Sequence, residues 1–193
     1  MNLSQIRAAL HGYVHRTDQG ATDNEPLAIE LARVVIARQF FPREASAIAT
    51  VAISAGVGTL PPDYGSADAV LTVAGALDYA TPRDFAERQI DGTAGGYYTV
   101  TGSGLLVGES VHSVQLVYFA KPAELVSDGS SSWLSVGYPD VLLYQAIAEQ
   151  QRYLQDWEQA ATAENYAVTL MGDAMRADKS TTAAGGSLRI KGR

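Results

Sequence analysis

The chain has 193 residues and no cysteine. That excludes disulfides, thiolate nucleophiles and cysteine-ligated zinc, and it leaves the redox compartment open. Long apolar runs are missing as well. Nothing approaches the roughly 20 residues of a membrane-spanning helix, and MNLSQIRAALHGYVHR lacks the continuous apolar core of a signal peptide. Positive charge is sparse in the body. All 21 acids lie within residues 1–178 with ten of the 14 bases, a net −11, whereas the last fifteen residues carry Lys179, Arg189, Lys191 and Arg193 and no acid, a net +4. An acidic body argues against wrapping nucleic acid, which needs clustered Lys and Arg on phosphates. It suits a surface that nucleic acid slides past without adhering. The length fits one domain, or one domain with an elaboration, able to bury roughly 70% of its unfolded surface without disulfide or metal.

What is present begins with Trp133–Met175, the longest stretch of helical periodicity. Pro139 has its φ already set for a first helical turn, and Asp140 puts negative charge at the positive end of the helix dipole. Leu143, Tyr144, Ile147, Ala148 and Leu154 recur on one face. A second run follows: Ala163, Tyr166, Ala167, Leu170, Met171 and Ala174. The polar DWEQ between the runs predicts a kink or a short break, so two helices or one bent helix.

Upstream, residues 4–15 read as a helix with Ser4 as its cap and an Ile6, Ala9, Leu10, Tyr13, Val14 stripe. RTDQGATDN (16–24) reads as a loop. Asp23, Asn24, Glu25 and Pro26 read as the start of a second helix that Pro42 closes. Its apolar residues, among them Leu27, Leu31, Val34 and Ile36, cover much of the circumference and predict burial on more than one side. From Ala47 to Leu125 the chain turns rich in Val, Thr, Tyr and Gly. Ile48–Ser54, Ala67–Ala74 and Val111–Ala120 read as strands, and Tyr97–Thr101 with Leu105–Gly108 as a hairpin around Gly102-Ser103-Gly104. Thr81 and Pro82 open a short helix. SDGSSS (127–132) is a connection back to helix. Helices, a β lobe, then helices is an α+β order rather than alternating βαβ.

No catalytic set emerges. His11 and His15 have metal-ligand spacing, but there is no intervening glutamate of the HExxH type and no third ligand. Ser110 and His112 lack a GxSxG elbow. Gly102-x-Gly104 and Gly185-Gly186 lack the Gly-Lys-Ser/Thr ending of a phosphate loop. Asp18, Asp23, Asn24 and Glu25 lack EF-hand spacing. No metal, cofactor or catalytic residue is assigned. The ten tyrosines and two tryptophans supply core, and those left exposed point to protein interfaces.

Five segments carry a resemblance: LPPDY (60–64), YATPRDFAERQ (79–89), YYTVTGSGLLVG (97–108), VQLVYFAKPAEL (114–125) and WLSVGYPDVLLYQAIAEQQRYL (133–154). In order and spacing they resemble the tailed-phage head-to-tail adaptor (connector) family, relatives of tail tubular protein A of short-tailed phages. The resemblance covers about residues 1–178. It rests most on a strand ending in Tyr-x-x-Lys-Pro, a Ser/Gly/Asp linker, and the structural motif positions Trp133, Tyr138, Pro139, Asp140, Leu143 and Tyr144.

The resemblance implies a non-enzymatic virion protein made in the host cytoplasm. It implies a dodecameric ring of identical copies at the head-tail interface. The portal protein would lie on one side, the tail nozzle and tail fibres on the other, and double-stranded genomic DNA would pass through the channel. The implied fold is a helical bundle built from the N- and C-terminal helices, 4–41 and 139–178, with an inserted β-rich lobe over about 47–125. An adaptor domain of residues 1–178 would then carry a flexible basic arm, 179–193. On charge and composition alone, Ser187, Leu188, Arg189, Ile190, Lys191 and Arg193 are the expected portal-binding residues. Ser187–Lys191 alternates as a strand would on a partner's sheet edge. Two other readings stand beside this one: a virion-associated cell-wall hydrolase using paired carboxylates, and a stopper or tail-completion protein one layer below.

Overall fold

The computed structural model describes residues 1–14, 19–108 and 111–185, with side chains through Lys179. His15, Ser110 and the expected arm residues Ser187–Arg193 lie outside the described residues. The chain is mixed α+β and divides into two compact units, Met1–Ala45 with Pro122–Arg193, and Ser46–Lys121.

The first unit is helical. It contains α1 (Leu3–Val14), α2 (Gln19–Ala37), α4 (Trp133–Gly137), α5 (Pro139–Tyr153) and α6 (Trp157–Gly185). Helix α5 is the most enclosed, burying Val141, Leu142, Leu143, Ala146, Ile147 and Ala148. Ile6 and Leu10 of α1, Ile29, Ala32 and Ile36 of α2, and Ala163 and Met171 of α6 complete one core around it. Each fully buried Leu or Ile there stabilises by roughly 1.5–3 kcal/mol.

The first two helices differ from the sequence reading in three respects. Asn2, not Ser4, caps α1. Its Oδ1 accepts from the Gln5 backbone N–H and its own N–H donates to Gln5 Oε1, both at 3.0 Å, a reciprocal capping box. Helix α2 starts at Gln19, so part of the expected loop is helical and Pro26 sits inside the helix. A buried clamp fastens the turn before it. Gln150 Nε2 donates to Ala21 O at 2.8 Å, and Asn24 Nδ2 donates to Gln150 Oε1 at 2.9 Å. Nor is α2 buried on more than one side: Ala21, Ala28, Ile29, Ala32 and Ile36 make one buried face, and Leu27 and Leu31 are exposed.

The expected break at DWEQ is real and sharply built. Gln155 adopts φ 62°. Gln155 N–H donates to Arg152 O and Asp156 N–H to Gln151 O, which is a Schellman ending with glutamine in the left-handed position. Asp156 then caps α6, its Oδ1 accepting from Gln159 N–H at 3.1 Å. A further break at Tyr138 separates α4 from α5. At its far end α6 runs to Gly185, seven residues into the stretch read as an arm. Ala183 and Ala184 in that stretch are strong helix formers, so propensity favours the continuation.

The second unit is a closed barrel of β1 (Ser46–Ser54), β2 (Val57–Thr59), β3 (Tyr64–Thr72), β4 (Gly75–Tyr79), β5 (Tyr97–Thr101), β6 (Gly104–Val107) and β7 (Ser113–Ala120), in the order β1-β2-β6-β5-β4-β3-β7. All pairings are antiparallel except β4 with β5. Val51, Ile53, Val70, Leu105, Val114 and Leu116 fill its interior. Closure removes the exposed strand edges that invite aggregation. Gly58 faces inward, where a Cβ would stand 2.6 Å from both Ile53 Cδ1 and Val51 Cγ1. Helix α3 (Pro82–Ile90) is capped as expected, Thr81 Oγ1 accepting from Asp84 N–H at 3.2 Å. Phe85 anchors it with Ala80 and Ala94, and the Arg88 guanidinium lies 3.9 Å above the Tyr97 ring.

Candidate functional site

The Trp133–Tyr144 segment becomes a well-fixed corner of the helical unit. Ser132 Oγ accepts from Ser135 N–H at 3.3 Å, and Ser135 Oγ accepts from Ser132 N–H at 2.9 Å, so α4 begins on a buried capping box. Trp133 and Tyr138 both pack on Phe40, with ring centroids at 6.3 and 4.9 Å. Pro139 opens α5, and Asp140 Oδ1 accepts from Val141 N–H at 2.9 Å. Leu143 is buried in the core.

Tyr138 donates its phenolic proton to Glu44 Oε2 at 2.6 Å. The bond holds the Glu44 carboxyl below its ordinary range, with Arg43 adding to the effect. Burial and the same bond push the Tyr138 phenol well above its ordinary value. Arg43 N–H also donates to Asp178 Oδ2 of α6 at 2.9 Å. The chain therefore leaves the helical unit from a tethered point. It returns through Pro122, whose carbonyl accepts from Arg33 at 2.7 Å.

Tyr144 belongs to a second feature that the sequence did not disclose. Tyr13 of α1, Tyr144 of α5 and Tyr166 of α6 form an edge-to-face series, with centroids 5.8 and 4.4 Å apart. The hydroxyls of Tyr13 and Tyr144 lie 3.4 Å apart. That contact and burial push the Tyr144 phenol up to about 12. The three rings line a groove of about 490 Å³ with Ile147, Gln151, Thr162 and Asn165, and no charged residue is among its described lining. Helical spacing alone could not bring these rings together, because three separate helices supply them.

The outer face of the barrel carries two uncharged rows, with the exposed Asp68 at the β3 bulge beside them. Pairing places Ile48 beside Val117 and Val117 beside Ala69, and likewise Thr50, Gln115 and Leu71 in the next row. These residues alternate with the inward Val51, Val70, Val114 and Leu116, so they form the outer face of β1, β7 and β3. Ile48 is 70% exposed. A recess of about 330 Å³ bordered by Thr50, Leu71, Val73 and Gln115 marks one end of this face.

The residues weighed for chemistry are not brought together. Among the described residues no group of three or more His, Asp or Glu is placed to hold a metal. His11 Nδ1 instead lies 3.1 Å from the buried Glu25 carboxylate, with Arg7 3.8 Å from its other oxygen. His112 is exposed, and its carbonyl accepts from Ile53 N–H. No described helix is long and apolar enough to cross a membrane. A polar series, Gln145 to Glu149 to Arg152 to Glu164, joins α5 to α6 through bonds of 2.9, 2.6 and 2.6 Å.

Residues 1–190 fit the family described as SU10 adaptor protein. No curated protein matches the chain.

Proposed function

The chain belongs to the SU10 adaptor protein family, and on that premise we propose that it is a structural head-to-tail adaptor of a tailed-phage virion. Copies form a dodecameric ring at the head-tail interface, binding the portal on one side and the tail nozzle and fibres on the other. The observation that carries this reading is the family match over 190 of 193 residues. The helices of the first unit form the packed bundle of each subunit, and the barrel is its inserted lobe. The chain works by holding surfaces together, not by catalysis. It is made in the host cytoplasm and ends in the particle.

Charge supports the role. Residues 1–178 carry a net −11, so a ring of such bodies sets a negative field around a channel and lets DNA pass with little adhesion. The basic arm serves as the portal contact, with Leu188 and Ile190 on one face of a strand and Arg189 and Lys191 on the other.

Binding to purified portal rings tests the assignment. The full chain is expected to bind in a fixed ratio. Deletion of 186–193 removes three of the four terminal bases and leaves α6 whole. It is expected to abolish portal binding while the unfolding temperature stays unchanged. A full-length chain that ignores portal and cleaves peptidoglycan would reverse the assignment.

A further inference from the structure

Residues 81–93 leave the barrel after β4, form α3 and lead back to β5. Among the described residues, the main-chain hydrogen bonds of this excursion stay within it: Phe85 N–H to Thr81 O, Asp91 N–H to Glu87 O, Gly92 N–H to Gln89 O and Thr93 N–H to Arg88 O. The β4–β5 pairing, Asp78 with Tyr97 and Tyr79 with Tyr98, closes the barrel without it. Of the nine residues of α3 only Phe85 is buried, and Ile90 is 86% exposed. Two side chains hold the helix down. Phe85 packs with Ala80, Tyr97 and Leu106, and Arg88 lies over the Tyr97 ring. The surface beneath carries a defect. Thr99 of β5 alternates with the inward Tyr98 and pairs with Leu106, so it stands on the outer face that the Phe85 cluster covers. It is fully buried, and its Oγ1 has no hydrogen-bond partner among the described residues. Covering an unpaired hydroxyl costs free energy that is recovered when water reaches it.

We propose that α3 is a strap that lifts from the outer face of β5 and β6 as one unit while the barrel stays closed. Phe85 opposes the lifting and the buried Thr99 hydroxyl favours it. Gly95-Gly96, with open space around both positions, gives the chain its freedom to turn where the strap rejoins β5. Once released, nine residues are too few to hold a helix in water, so lifting melts α3. Opening of this kind involves few buried contacts and belongs to the low-stability end of a fold. The inference concerns the barrel alone and stands apart from the adaptor reading.

Native-state amide hydrogen exchange on the full chain tests this. The amides of residues 85–91 are expected to exchange through one common opening, at least about tenfold faster than the amides paired between β5 and β6. Thr99→Val keeps the shape and removes the unpaired hydroxyl, and it is expected to slow α3 exchange about tenfold. Fraying of the helix ends would not respond to that change, because Thr99 lies outside α3. Phe85→Leu shrinks the anchor and is expected to speed α3 exchange about tenfold. Exchange in α5 serves as the control and stays unchanged in both variants. If Phe85→Leu does not fold, Arg88→Gln removes the cation from the Tyr97 ring and is expected to speed α3 exchange about threefold. Protection of α3 equal to that of β5, or α3 exchange indifferent to Thr99→Val, overturns the inference. Either result leaves the adaptor role standing.

Discussion

The Tyr138 hydroxyl meets the Glu44 carboxylate at 2.6 Å across 94 positions of sequence. The bond joins the hinge before α5 to the last residues of the helical unit before β1. It also makes the corner sensitive to pH at both ends. The Glu44 pKa is lowered on folding, so its contribution is complete above the unfolded value of about 4.5 and is lost as pH falls through the folded value. The Tyr138 pKa is raised, so that contribution is complete below about pH 10 and is lost as pH rises through the folded value. Tyr138→Phe is expected to cost about 1 kcal/mol near neutrality, a modest figure because Glu44 remains partly in water. It is also expected to flatten both limbs of the stability profile, as checked by chemical unfolding from pH 3 to 11.

Gln155 holds φ 62° between α5 and α6, a conformation that disfavours every residue with a Cβ. Gln155→Gly is expected to stabilise the protein by about 0.5–1 kcal/mol, the relief exceeding the added freedom of the unfolded chain. A rise in unfolding temperature checks it. Gln155→Ala is expected to change little.

Gly58 and Gly12 call for opposite outcomes from the same substitution. Gly58→Ala drives a methyl to 2.6 Å from Ile53 and Val51 inside the barrel, a cost of about 1–3 kcal/mol for overpacking. Gly12 lies within α1 with nothing inside 4 Å of a new Cβ. Gly12→Ala is expected to gain about 0.5–1 kcal/mol. Paired denaturant titrations read both.

Gln150 is buried and bonds both Ala21 O and the Asn24 amide. Gln150→Ala removes both bonds and opens a cavity, at an expected cost of about 2–4 kcal/mol. The loss falls first on the start of α2, so amide exchange over residues 19–26 should accelerate more than in α5.

Much of the architecture was legible because local signals agreed. Thr81-Pro82, the Gly102 turn and the alternation of Val114, Leu116 and Tyr118 each act within a few residues. What escaped depends on distant partners. Gln19 to Thr22 read as loop, yet Gln150 of α5 fastens Ala21. Barrel closure joins β1 to β7 across the Ala47–Tyr118 pair, which no window of sequence reports. The tyrosine groove needs three helices at once. A hint of the barrel face was present. Residues 45–62 hold no charge at all, more than the inward positions of one strand require.

The central claim is that this chain is a ring-forming adaptor between head and tail. A cryo-EM reconstruction of the particle that carries it tests this most directly. The account predicts twelve copies of this fold in one ring beneath the portal vertex, each in contact with its neighbours. The fold placed elsewhere in the particle, or present at the vertex as isolated copies without mutual contact, would contradict it.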